Sequence, residues 1–151
     1  MKKLNITFTT ILLVLGVFAL PPTLKAADGA PIVGLWDVTY TSNNPNNPMS
    51  PFETYQQWHS DGLEFESPSF SLGECIGTWK QMASNFVQLY HVGWTVGNPP
   101  GTVRFVLTET ISVGADGNSF DGNYDQKFYG AGGNLVLEDM GTTHATRISV
   151  Q

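Results

Sequence analysis

The chain is poor in the residues that would staple it together or bind it to polyanions. One cysteine, Cys75, stands in 151 residues, so no internal disulfide can form and packing must hold the fold. Basic side chains are scarce, with seven Lys and Arg against thirteen Asp and Glu. Phosphate backbones and anionic membrane surfaces require clustered Lys and Arg, so nucleic acid and charged lipid are disfavoured as partners. His-x-His and Cys-x-x-Cys spacings are missing. His59, Cys75, His91 and His144 fall on separate segments, and this spacing calls for neither a metal site nor a cofactor. Helical periodicity beyond a turn or two is absent as well.

Long apolar runs are also lacking. The one candidate, Ile11 to Leu20, is too short for a membrane span of ~20 residues, and no stop-transfer segment follows it. Lys2 and Lys3 precede it and Leu24-Lys25-Ala26 follows, which is the layout of a cleavable leader. Cleavage is expected after Ala26. An uncleaved tether is the alternative, and a lipid anchor would need a cysteine at the new N-terminus. The expected product, residues 27–151, is one soluble domain in the periplasm or outside the cell, with no membrane attachment once the leader is gone. Removing Lys2, Lys3 and Lys25 leaves Lys80, Arg104, Lys127 and Arg147 against all thirteen acids, a net charge of −9.

What remains is strand pattern and turn chemistry. Short runs rich in Val, Ile, Thr, Phe, Tyr and Trp alternate with clusters of Gly, Asn, Pro, Asp and Ser, which reads as all-β. Over 33–41, Trp36, Val38 and Tyr40 share one face. The Asn/Pro-rich stretch 42–51 is long for a hairpin and could cover one end as a lid. The next strand is 52–59. Ser60-Asp61-Gly62 then turns the chain into 63–66, where hydrophobicity places Leu63 and Phe65 inward and Glu64 and Glu66 outward. After 75–81, residues 86–96 carry Phe86, Tyr90, Val92 and Trp94 on one face and Val87, Leu89 and His91 on the other, both partly buried in appearance. Val103, Phe105, Leu107, Glu109, Ile111 and Val113 then align at period two, Glu109 being the exception on an apolar face. Phe120, Tyr124, Gln126 and Phe128 alternate inward, Leu135 and Leu137 follow a Gly-rich turn, and a final strand covers 143–150. About eight strands joined by near-neighbour turns make an up-and-down antiparallel meander, and closure into a barrel removes its edges.

Gly34-Leu35-Trp36 on the first strand, together with Arg147 on the last, resembles the shared mark of the calycin superfamily, which includes lipocalins, fatty-acid-binding proteins and avidins. The likeness spans about 32–150. It lacks the Thr-Asp-Tyr motif, the helix after the barrel and the disulfide of a typical lipocalin. The hairpin 115–124 is similar to one in avidins, a likeness that turn chemistry explains without biotin. The resemblance implies a lipocalin-like barrel with a pocket open at one end, and structural roles for Trp36 and Arg147: the Trp closes the floor and the Arg lies across its ring.

An aromatic interior suits one small hydrophobic molecule, with a few polar groups to orient it. The candidate ligand-binding residues are Tyr40, Gln56, Trp58, Tyr90, Trp94, Glu109, Tyr124 and Gln126. An ionised carboxylate cannot be buried alone, so Glu109 must sit at the mouth, pair with Arg or His, or hold a proton. His59-Ser60-Asp61 is no nucleophilic triad, because neighbours on a strand point to opposite faces; no catalytic residue is assigned. The expected function is binding of a small hydrophobic ligand by a monomer or weak oligomer. The alternatives are an isomerase- or cyclase-type enzyme using Glu109 with His59 or His91 as acid and base, or haem bound by His91.

Overall fold

The computed structural model describes residues 30–70, 74–95 and 97–149; the expected leader and cleavage point lie outside them. Eight strands follow one another: β1 (Gly34–Ser42), β2 (Phe52–Trp58), β3 (Leu63–Pro68), β4 (Cys75–Gln81), β5 (Phe86–Trp94), β6 (Arg104–Val113), β7 (Ser119–Tyr129) and β8 (Leu135–Ile148). Each pairs antiparallel with its sequence neighbour, and β1 also pairs with β8, so the sheet closes on itself. Among the described residues there is no helix. The sequence suggested two separate segments after residue 134, whereas one continuous strand runs from Leu135 to Ile148, with a register shift opposite Phe128 and Tyr129.

Two ends result. The floor carries the tight turns 59–62, 82–85 and 114–118 together with residues 30–33. The mouth carries the loop 43–51, residues 97–103, the turn 130–134, and Ser69 and Phe70 at the end of β3. Trp36 is fully buried on the floor, donates its indole N–H to the Ile32 carbonyl at 2.7 Å, and packs against Phe120. The Arg147 guanidinium lies 4.1 Å from the Trp36 ring centroid. Its donors reach the carbonyls of Gly117 at 2.6 Å, Val33 at 2.8 Å, and Pro31. Gly34 makes this possible: its φ is +140°, and a Cβ there would collide with the Arg147 guanidinium.

Burial alternates along β1, β2, β4, β6 and most of β7, as period two requires. On β5 the ambiguity resolves in favour of Val87, Leu89 and His91, which are buried. Strand β3 reverses the expectation. Glu64 and Glu66 are buried inside the barrel, while Leu63 is exposed and Phe65 only half-buried.

Candidate functional site

The interior is built in three layers. At the bottom Trp58 meets Trp79 and Phe120 edge to face and Trp36 lies tilted against Phe120, with Val87, Leu89 and Ile111 filling the space around them. These are ordinary core contacts between buried side chains.

Above them lies a polar layer that is almost entirely buried. Glu109 is 1% exposed and meets neither Arg nor His: one oxygen accepts from the Tyr40 hydroxyl at 3.1 Å, the other from Thr143. Gln56 donates to the Tyr40 oxygen at 2.7 Å and accepts from the Trp58 indole at 3.1 Å. Desolvation pushes the Glu109 carboxyl up to about 7, although the hydrogen bonds from Thr143 and Tyr40 favour its charged form. Of the three expected ways to bury this carboxyl, neither a place at the mouth nor an Arg or His partner applies; its oxygens are met by hydroxyl donors.

The other half of the layer was not foreseen. His91 presents Nδ1 to Glu64 at 2.8 Å and Nε2 towards Glu66 at 3.2 Å, with all three side chains buried, and its ring stacks on Phe105. Burial raises the Glu64 carboxyl well above its ordinary range and lifts Glu66 to about 7, while it lowers the His91 imidazole. No Lys or Arg is buried among the described residues, so the layer has no fixed cation.

Sheet register explains how these groups meet. Glu64 pairs with Gly77, and Gly77 with His91. The glycine between them supplies no side chain, and a Cβ there would lie 2.7 Å from Glu64 Oε2 and 2.8 Å from Leu89 Cδ1. Two strands that are not neighbours thereby bring a carboxylate and an imidazole together across a third. Gly122 does the same for Glu109, since a Cβ there would stand 2.9 Å from Glu109 Oε1.

The third layer is a cavity of about 360 Å³ at the mouth, within the ordinary range for small-ligand sites. Phe52, Phe70, Phe105, Phe128 and Leu137 supply most of its apolar wall, and Gln126, Asn47 and Asp139 its polar points. Asp139 organises the rim: it accepts from the Tyr124 hydroxyl at 2.9 Å, from Asn47 at 3.1 Å, and from Ser42. The loop 43–51 thereby folds over the opening, where Asn98 also reaches the Met49 sulfur at 3.4 Å. Phe52 stacks on Tyr40 and Phe105 on His91, so aromatic rings separate the cavity from the polar layer.

The sequence candidates therefore divide. Gln126 lines the cavity, and Tyr124 touches its rim through Asp139. Tyr40, Gln56 and Glu109 form one hydrogen-bonded group beneath it, and Trp58 belongs to the floor. Trp94 borders the mouth but is 73% exposed, and Tyr90 is 52% exposed on the outer wall. Tyr90 is thus corrected to an outward residue, because its strand shows its other face to the interior. His59 sits at a floor turn, where its carbonyl accepts from Trp79, and His91 pairs with Glu64 and Glu66; neither touches Glu109 as an acid–base partner. Both His91 nitrogens face carboxylates, which leaves none aimed at the cavity for a haem iron. His144 is exposed beside Asp121.

Residues missed by the sequence reading are Glu64, Glu66 and Asp139. A signal for the first two existed. With a turn at 60–62, His59 lies opposite Leu63 and Trp58 opposite Glu64, and residues directly opposite share a face, so an inward Trp58 requires an inward Glu64. Asp139 has the same parity on β8 as the buried Thr143 and Ala145. Comparison of the chain with protein-family models, with curated proteins and with solved structures gave no match to any of them, so the reading of function rests on the closed barrel and the contents of its interior.

Proposed function

We propose that this protein is an exported, calycin-like barrel that takes up a small hydrophobic molecule through its open end. The observation that carries this reading is the mouth cavity: it is walled by phenylalanines, polar at only a few points, and partly roofed by the loop 43–51. Apolar ligand surface leaving water there gains roughly 25 cal/mol per Å², while Gln126, Asn47 and Asp139 select its orientation. The acidic balance of the chain suits a soluble carrier outside the cytoplasm.

Trp94 at the rim is the natural reporter. Titration of the protein, residues 27–151, with fatty acids and retinoids should give saturable quenching that is lost in Trp94→Phe if only the rim senses the ligand. Gln126→Leu and Phe105→Ala should each shift the midpoint. Quenching that fails to saturate, or that is indifferent to both cavity variants, would refute uptake at this site.

A further inference from the structure

We propose that Glu64, Glu66 and His91 form a binding site for one divalent first-row transition metal ion, with zinc as the representative case. Each of the three offers a ligand atom, and these atoms lie within 4.8 Å of one another. Ligands held at about 2.0–2.2 Å around zinc stand roughly 3.3 Å apart, so binding an ion draws the most distant pair together by up to about 1.5 Å. One imidazole nitrogen and two carboxylates make a donor set that zinc accepts.

Unpartnered atoms point the same way. Glu64 Oε1 and His91 Nε2 are buried without a hydrogen-bond partner, and His91 Nε2 is turned towards Glu66 at 3.2 Å. A neutral imidazole has one N–H and one lone pair, so it donates to only one of two flanking carboxylates. Even with a proton on Glu66 to satisfy the ring, Glu64 Oε1 still has no donor. With Nδ1–H donating to Glu64 Oε2, a dication at the Nε2 lone pair takes Glu66 and the unpartnered Glu64 Oε1 as its other ligands and makes the cluster neutral, in a layer that contains no buried Lys or Arg among the described residues. The absence of a side chain at Gly77 is what allows Glu64 to reach the site. The proposal is independent of the ligand assigned to the mouth cavity, from which the Phe105 ring separates the trio.

The experiment uses residues 27–151, stripped with a chelator and passed through a desalting column. Zn²⁺ is titrated by calorimetry into the folded protein. In parallel the protein is refolded from urea with equimolar Zn²⁺, so that a closed barrel does not bar the ion; bound metal is then counted, and Co²⁺ substitution is read by visible absorption. One equivalent per chain is expected by at least one route. Glu66→Gln, Glu64→Gln and His91→Gln should each weaken binding by at least about tenfold, the lower end of the loss that even an outer-shell partner causes, while far-UV circular dichroism confirms that each variant is folded. At Glu64 and Glu66 glutamine keeps the shape of the carboxyl and removes its charge, which favours retention of the fold. His144→Ala, which removes the exposed histidine, should have no effect. The proposal is overturned if neither route yields a stoichiometric ion, if binding survives the three glutamine substitutions, or if it vanishes in His144→Ala.

Discussion

Replacing Glu109 by Gln should stabilise the barrel at alkaline pH and do little at acidic pH. Burial holds the folded carboxyl at about 7, against 4.5 for an unperturbed one. Below 4.5 both states carry the proton and the group contributes nothing. As pH rises from 4.5 to 7 the unfolded chain releases its proton while the folded chain keeps it, so stability falls. Above 7 the whole cost is in place. At 1.36 kcal/mol per unit, the difference amounts to about 3 kcal/mol, a large share of the ~5–15 kcal/mol that a domain usually has. Glutamine cannot ionise and occupies nearly the same volume beside Tyr40 and Thr143. The imidazole of His91, lowered by burial, contributes a slope of opposite sign, but it is common to both proteins and cancels in their difference. The assay is urea unfolding followed by Trp fluorescence at half-unit steps from pH 4.5 to 8.5, with a chelator present throughout. The two stability curves should start close together and separate by about 3 kcal/mol. Parallel curves would mean that Glu109 is not proton-coupled to folding, and the account of its burial would fail.

Gly77→Ala should destabilise the fold by about 1–3 kcal/mol, because the new methyl meets Glu64, Leu89 and the Tyr90 carbonyl; a urea midpoint unchanged from the parent would refute the tight packing. Arg147→Ala should cost roughly 2–4 kcal/mol through the lost cation–π stack and the lost donors to loop carbonyls. Arg147→Lys should restore little of this, since an ammonium lacks the planar fork, and full recovery in a thermal melt would count against the geometry. Cys75 is buried at the base of the cavity, and its thiol is pushed up to about 12 by burial. It should therefore resist a chromogenic thiol reagent at pH 8 and react fully in urea; rapid reaction of the folded protein would show that the mouth cavity opens as far as Cys75.

The alternation on β1, β6 and β7 was legible because strand period two divides any apolar run cleanly. Even the awkward Glu109 was placed correctly, since its neighbours Leu107 and Ile111 fixed the face. Strand β3 was misread for a physical reason. Period two separates Leu63 and Phe65 from Glu64 and Glu66, but it does not say which pair faces inward, and hydrophobicity answers wrongly when the interior has a polar layer. Cross-strand pairing with Trp58 overrides it. The Glu64–His91 contact was illegible for a further reason: it spans a strand and depends on an empty position at Gly77, which composition alone presents as one more small residue. The uninterrupted course of β8 was hidden by Glu138-Asp139-Met140-Gly141, a polar and flexible stretch that reads as a break. In the barrel those residues are tied to β7 at every step.

Closure of the ring by β1 against β8 has a kinetic corollary. Leu35 must find Ile148 and Ser42 must find Gly141, partners at opposite extremes of the chain, whereas every other ladder joins segments adjacent in sequence. Such distant zippering is slow compared with local hairpin formation, so the nascent polypeptide must wait for its final ribbon before the seam is sealed. A truncated or stalled product would expose the free margin of its opening strand to other copies of itself.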